Sequence, residues 1–427
     1  MIDLNLIREN PDKVREGLRK RGEEVDLRDL LLLDKQRREK ITEVEGLKAR
    51  RNQVSDKISV LRREGKPAEQ LIQEMKDVSS QIKLLDQEVA EIEKQISGFI
   101  DSLPNLPDED VPPGGKENNE VIRTWKEKPD FDYEIMDHVA LSEKLGLLDY
   151  NRGVKLGGAN FWLYKGSGAL IEWGLLNYFI ESHLEDGYEF ILPPHILRNE
   201  CGYAAGQFPK FADEVFHISQ EESQHEGRFL LPTAETALVN LHRDEILEEA
   251  ELPKKYFAFT PCYRKEVGSY RAAERGTMRG HQFNKVEMFQ FTAPENSAEA
   301  HMELLEKAEK LVQGLGLHYQ VTKLAAQDMG GAMAKTYDVE IWIPSLGRYS
   351  EVSSVSNARD YQARRGKIRF RRADKRKTEF VHTLNASGLA TSRLYAGLVE
   401  QYQQADGSLV IPDMLRKWVG KEVLYPA

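Results

Sequence analysis

The chain has 427 residues, 40% of them apolar and 9% aromatic, more than one compact core usually holds, so two domains of a soluble protein are expected. No run of about 18 apolar residues occurs, and the start Met1-Ile2-Asp3-Leu4-Asn5 lacks a secretory pattern, so neither a membrane span nor a secretory signal is expected. The net charge of −10 weighs against general nucleic-acid affinity; with only Cys201 and Cys262, disulfides and structural zinc are not expected and a reducing cytoplasm fits.

Over about residues 26–98 the pattern predicts two long helices folded back on each other. In the second, Leu71, Met75, Val78, Ile82, Leu85, Val89, Ile92 and Ile96 alternate steps of four and three, the spacing of a coiled-coil seam. Val44, Leu47, Val54, Ile58 and Leu61 answer from the first, with Arg51 at one seam position. Gly65-Lys66-Pro67 breaks the pattern between arms of matching length, which favours an antiparallel hairpin over an intermolecular zipper. Across residues 30–66 eleven Lys/Arg stand against six Asp/Glu. Arg50, Arg51, Lys57, Arg62, Arg63 and Lys66 concentrate on the outgoing helix and tip. That suits phosphate binding, and equally a solvated coiled coil; the segment alone leaves both open.

Residues 102–115 carry Leu103-Pro104-Asn105-Leu106-Pro107 and Val111-Pro112-Pro113-Gly114-Gly115, which reads as an extended linker. The predicted division is therefore a helical arm at 1–101, a linker at 102–117 and a body at 118–427. The body mixes strand-like runs (188–192, 256–259, 286–291, 339–343, 380–384) with candidate helices at 168–185, 298–315 and 389–403. It lacks regular βαβ alternation, so the fold class is α+β rather than a doubly wound parallel sheet.

Four segments of the body carry chemistry. Thr233-Ala234-Glu235 follows Leu230-Leu231-Pro232; read alone, Thr233 is a helix cap. The stretch CYRKEVGSYRAAERGTMRGHQFNKVEMFQ, from Cys262 to Gln290, sets two strand-like runs around a loop rich in Gly and Arg. Arg264, Arg271, Arg275 and Arg279 can converge on a polyphosphate, because guanidinium forks bind phosphate oxygens bidentately and stay charged. Phe283 offers a flat face for a purine, and Glu266 or Glu287 can accept hydrogen bonds from amino groups. Glu351-Val352-Ser353-Ser354 supplies hard oxygens suited to Mg²⁺, or else one wet sheet face. Thr383-Leu384-Asn385-Ala386-Ser387-Gly388 runs on to Arg393 through small residues that let a strand and helix pack closely around a ligand. The basic run at 365–377 (RGKIRFRRADKRK) reads as a charged loop or hairpin, in contact with RNA or solvated.

The order arginine, acid, loop, aromatic, acid resembles the second signature motif of class II aminoacyl-tRNA synthetases, and its wording is similar to that of bacterial-type seryl-tRNA synthetases. Gly187-Tyr188 to Pro193-Pro194 resembles the first motif, which forms the family's dimer interface, and the segment ending at Arg393 resembles the third. The resemblance covers essentially the whole chain. It implies an N-terminal antiparallel two-helix coiled coil followed by a catalytic domain with a mainly antiparallel sheet flanked by helices. It also implies ATP-dependent activation of L-serine and transfer to tRNA(Ser), with Mg²⁺ as cofactor. The acceptor is gripped by the arm across a homodimer, and tRNA for selenocysteine stays open as a second acceptor. By the same resemblance Thr233, Ala234, Glu235, Arg264, Glu287, Asn385 and Ser387 line the serine pocket. Arg264, Lys265, Glu266, Arg279, Phe283, Glu351, Val352, Ser353, Ser354 and Arg393 meet ATP, with Glu351 and Ser354 on the metal. Arg264 and Arg393 are the implied catalytic cations. Val355, Ala358, Ala386 and Ser392 depart from the family's usual residues without removing an ionic group.

Overall fold

The computed structural model describes residues 1–218, 227–266, 276–374 and 377–426. They form two compact units, one of Ile2–Arg19 with Glu23–Pro104, the other of Asn105–Ala427 with Met1 and Lys20–Gly22.

In the first unit, helices α1 (Arg28–Arg63) and α2 (Glu69–Ser102) form an antiparallel pair. Val44, Val78, Ile82 and Leu85 bury together with Leu47 alongside, so the stepped apolar residues do make the seam. Each fully buried aliphatic side chain contributes about 1.5–3 kcal/mol. The cross-arm ion pairs Arg50–Glu74, Lys48–Asp86 and Lys40–Glu88 are largely exposed, where solvent screening leaves such pairs little net stabilisation. Apolar burial therefore holds the arms together, and the charges tune register. The turn contains Gly65 at φ 70°, a conformation that favours glycine. Helix α2 runs to Ser102, into the stretch expected as linker, and stops at an extended Leu103 because the next residue is Pro104.

The second unit is built on an eight-stranded sheet. Its elements in chain order are β1 (Glu120–Trp125), α3 (Ser167–Glu185), β2 (Glu189–Ile191), β3 (Lys254–Tyr263), β4 (Gln282–Thr292), α4 (Ser297–Gly314), β5 (Tyr319–Lys323), β6 (Lys335–Ile343), β7 (Arg348–Arg359), β8 (His382–Ala390) and α5 (Thr391–Gln401). The strand order is β1-β5-β6-β7-β8-β4-β3-β2, antiparallel throughout except for β2 beside β3. Leu304, Leu311 and Val312 of α4, Leu394 and Leu398 of α5, and Ile171, Leu175 and Phe179 of α3 bury against Val286, Val339 and Ile341 of the sheet.

Strands β3, β4 and β6 extend beyond their apolar runs, because cross-strand pairing carries polar residues such as Gln282, Asn284 and Lys335 into the ladder. The single strand expected at 380–384 is two: Thr378–Phe380 belongs to a three-stranded sheet with Arg369–Arg371 and Ile246–Glu248, and β8 begins at His382. Helix α5 begins at Thr391 rather than at 389 because pairing with Lys285 holds Ala390 in the strand.

The proline-rich stretch is extended but fastened down. Asn105 donates its amide to the carbonyls of Ala332 and Ala358 at 2.9 and 2.8 Å, and the Arg21 guanidinium donates to the Asn105 carbonyl at 2.7 Å. Val111 buries among Leu324, Ala326 and Met329.

Candidate active site

Strand β4 sets the floor of the site. Phe283, Lys285 and Glu287 stand two apart on β4, so their side chains share one face. Opposite Glu287 across the β4–β8 ladder is Ser387, and opposite Phe289 is Asn385, which brings the small residues of β8 onto that face. Asn385 Nδ2 donates to Glu287 Oε1 at 3.0 Å and lies 3.5 Å from Glu235 Oε2; Ser387 Oγ lies 3.5 Å from Glu287 Oε2.

Glu235 arrives from a different direction, on the short helix Glu235–Leu238. The cap position there is Ala234, which makes no side-chain bond. The Thr233 hydroxyl accepts instead from the Glu235 amide at 3.3 Å and from Lys285 Nζ at 2.6 Å. Gln362, in the helix Tyr361–Gly366, donates to Glu235 Oε1 at 2.7 Å and is itself held by the Thr383 hydroxyl. Burial, and then the charge of Glu287, push the Glu235 carboxyl up to about 7. Lys285 pairs directly with Glu287.

The mouth of the site is a cavity of about 80 Å³ lined by Arg264, Glu266, Arg279, Phe283, Lys285, Glu351, Val352, Ser387 and Arg393, among others. Arg264 donates through Nε to the Pro232 carbonyl at 3.2 Å and lies over the Phe283 ring, 5.2 Å from its centroid. Glu266 has a positive φ of 51° and accepts from Arg279 Nε at 2.5 Å. Lys265 is tied by its backbone amide to the Glu214 carbonyl at 2.9 Å. Arg271 and Arg275, expected among the phosphate-facing arginines, lie outside the described residues.

Glu351 and Ser354 are three apart on β7, and strict alternation would point them to opposite faces. A bulge corrects this. Val339 pairs with Ser353 but Glu340 pairs with Glu351, so one extra residue enters β7 between them. Asp338 faces Ser354, Glu340 faces Glu351, and all four side chains come to one face. Asp338 Oδ1 is buried without a hydrogen-bond partner among the described residues. Burial, and then the charge of Glu351, hold the Asp338 carboxyl well above the usual range. Ser353 points the other way, its hydroxyl donating to the Ser387 carbonyl at 2.6 Å. A neighbouring cavity of about 260 Å³ is lined by Asp328, Asp338, Glu340, Glu351, Lys116, Arg279, Arg348 and Arg393.

Of the basic run at 365–377, Lys375 and Arg376 lie outside the described residues. Its described arginines are largely engaged within the protein. Arg365 is buried and donates to the Phe208 carbonyl at 2.7 Å, Arg371 pairs with Glu248, and Arg372 pairs with Glu249, Glu295 and Glu379. On the arm, Arg50 pairs with Glu74 and Lys66 with Glu64, whereas Arg51, Lys57, Arg62 and Arg63 have no ion-pair partner among the described residues.

Lys285, Gln362 and Asp338 were not picked out from sequence. The two-residue spacing Phe283, Lys285, Glu287 carried the signal for Lys285; for Gln362 and Asp338 nothing local did.

Comparison with known proteins gives a consistent pattern. Residues 1–107 match the family model of the seryl-tRNA synthetase N-terminal domain, and residues 216–402 match the tRNA synthetase class II core domain (G, H, P, S and T). The chain is 60% identical over 425 residues to serine–tRNA ligase 2 of Clostridium acetobutylicum, covering 99% of this chain and 100% of that one. Among solved structures it resembles seryl-tRNA synthetase of Pyrococcus horikoshii complexed with ATP, with TM-score 0.92, 33% identity and 100% of both chains covered. It also resembles the cytoplasmic serine–tRNA ligase of Naegleria fowleri in complex with AMP, with TM-score 0.87, 29% identity, and 100% and 99% of the chains covered.

Proposed function

Because the chain belongs to the seryl-tRNA synthetases, we propose that it activates L-serine with ATP and passes the seryl group to the 3′ end of tRNA(Ser). In the first step a serine carboxylate oxygen attacks the α-phosphorus and pyrophosphate leaves. In the second, a ribose hydroxyl of the terminal nucleotide attacks the seryl carbonyl carbon and AMP leaves. Neither step calls for a covalent bond to a side chain, so the protein's part is positioning and charge neutralisation.

The observation that carries this reading is the meeting of two unlike regions in one site. Buried carboxylates Glu235 and Glu287 stand behind a mouth lined by Arg264, Arg279 and Arg393. Glu235 holds the substrate ammonium, and Glu287 accepts from the serine hydroxyl. Thr233, Ala234, Asn385 and Ser387 shape the space between. Arg264 faces the carboxylate and α-phosphate, Arg279 and Arg393 face the outer phosphates, and Phe283 stacks on the adenine. Lys265, Glu266, Val352 and Ser353 complete the nucleotide site, Ser353 by holding β8 in place through its bond to Ser387.

Glu351 and Ser354 would hold Mg²⁺, and the unpartnered Asp338 oxygen beside Ser354 fits an oxygen-rich cation site. When bound, the ion neutralises phosphate charge. Among the described residues no three His, Cys, Asp or Glu side chains are placed to hold a metal, so most of its shell would come from phosphates and water.

A homodimer through α3 and the segment after it is supported by exposed apolar side chains there: Leu170, Trp173 (55% exposed), Leu184 and Leu192 (71% exposed). The arm's cations Arg51, Lys57, Arg62 and Arg63, which have no ion-pair partner among the described residues, grip the tRNA with Arg50 and Lys66, one subunit presenting it to the other. No helix among the described residues is long and apolar enough to cross a membrane.

The test is serine-dependent ATP–pyrophosphate exchange followed by charging of tRNA(Ser). Exchange with serine and transfer to tRNA are both expected; exchange without transfer would point to another acceptor, and no exchange would remove the activity.

A further inference from the structure

Lys285 has no part in the reading above, yet its ammonium is a buried cation among the carboxylates of the site. Nζ donates to Thr233 Oγ1 at 2.6 Å and pairs with Glu287 Oε2, and the residue is buried. Glu287 is 0% exposed, and Glu235 is buried on the other side of Asn385, whose single amide group reaches both carboxylates. Two like charges so close and so dry favour uptake of a proton by one of them. The groups facing them are Lys285 from β4, the Cys262 thiol from β3 and Arg264 just beyond it, neutral Asn385 and Ser387 from β8, and neutral Gln362 from the helix Tyr361–Gly366.

We propose that Lys285 is a positioning and specificity-determining residue, the resident cation that holds Glu287 and Thr233 in place as acceptors and favours the charged form of Glu235 before substrate arrives. The inference rests on the serine-activating reading of the site. A carboxylate is an acceptor only, so the serine hydroxyl satisfies it and alanine leaves it unpaired in a dry pocket. A protonated carboxyl brings its own donor and discriminates less. Glu235 must likewise be charged to receive the substrate ammonium. Burial and then Glu287 raise it to about 7 even with Lys285 in place among the groups that lower it, so removing that cation should raise it further. The Thr233 hydroxyl, accepting from Lys285, is fixed in the same step.

The experiment is pyrophosphate exchange by the full-length enzyme with serine and with alanine, from about pH 6 to 9. In Lys285→Met the pH at which serine kcat/KM reaches half its plateau should rise by about one unit or more, and the serine-over-alanine preference at neutral pH should narrow about tenfold. Lys285→Arg, which keeps the charge, should retain the wild-type midpoint. If Lys285→Met does not fold, Lys285→Gln keeps a donor toward Thr233 without the charge and should give the same shift. A loss that is uniform across pH with an unchanged alanine preference, in either uncharged variant, would reduce Lys285 to packing and overturn the proposal. So would a midpoint shift in Lys285→Arg as large as in the uncharged variant. Absence of serine-dependent exchange in the wild-type enzyme would instead remove the activity on which the inference depends.

Discussion

Arg393 Nη1 donates to both the main-chain oxygen and the carboxylate of Glu351, at 3.1 and 3.2 Å, while its Nε reaches the Met278 carbonyl at 3.3 Å. One guanidinium thus ties the start of α5 to β7 and to the segment entering β4. A phosphate in the cavity would meet an arginine whose plane is already set.

Lysine cannot reproduce that geometry, since its ammonium is a point donor on a flexible stem. Arg393→Lys is expected to lower kcat/KM for ATP by about a hundredfold, comparable to loss of one preorganised donor to a developing anion. Pyrophosphate exchange at varied ATP measures it. A loss of less than about threefold would place the phosphates elsewhere.

Glu235 has its carboxyl raised to about 7, first by burial and then by Glu287. Receiving an ammonium requires the carboxylate, so serine kcat/KM should climb as pH rises and level off above about 7. The free enzyme's ionisation is what kcat/KM reports. Glu235→Gln should be low and flat over the same window, and a flat wild-type profile would take the ammonium away from this residue.

Glu172, on α3, is buried and accepts from Asn284 Nδ2 at 2.8 Å and from the Thr391 hydroxyl at 2.6 Å. Burial raises its carboxyl from 4.5 to about 7. For an acid with a raised folded value, the stabilising contribution is full below the unfolded value and is lost as pH climbs through the folded one. Glu172→Gln keeps the acceptor and removes the ionisation. Its stability relative to wild type should improve by about 3 kcal/mol between acid and alkaline conditions. Urea midpoints at pH values on either side of that window check this; a constant difference would mean Glu172 is not a neutral acid in the fold.

The arm should be separable from the first chemical step. A chain lacking residues 30–98 is expected to retain serine-dependent exchange and to lose charging of tRNA(Ser). Replacing Arg51, Lys57, Arg62 and Arg63 by alanine should weaken tRNA and flatten the salt dependence, since each phosphate contact contributes a slope of up to about 0.9. Arg50 and Lys66 already have carboxylate partners, so their loss should matter less. Unchanged charging by the truncated chain would remove the arm from tRNA recognition.

The helical arm was legible because a seam repeating in steps of three and four is a local property, written in residues such as Val78, Ile82 and Leu85 that meet the partner helix wherever it lies. The face shared by Phe283 and Glu287 was equally local, a matter of strand alternation. The segments around Arg264, Glu351 and Arg393 could be placed by motif order. Their convergence could not be derived from spacing. Glu351 and Ser354 reach one face only through the bulge opposite Val339 and Glu340. Lys285 gains its meaning from Thr233, fifty-two residues earlier, and Glu235 from Gln362, one hundred and twenty-seven residues later. Those relations depend on strand register and on helix-to-sheet packing, which join distant stretches of chain and leave no periodicity behind. A single residue added to a ladder turns side chains to the other face, so the groups that share a charge were decided by tertiary structure, while the kinds of groups available were already set by the order of amino acids.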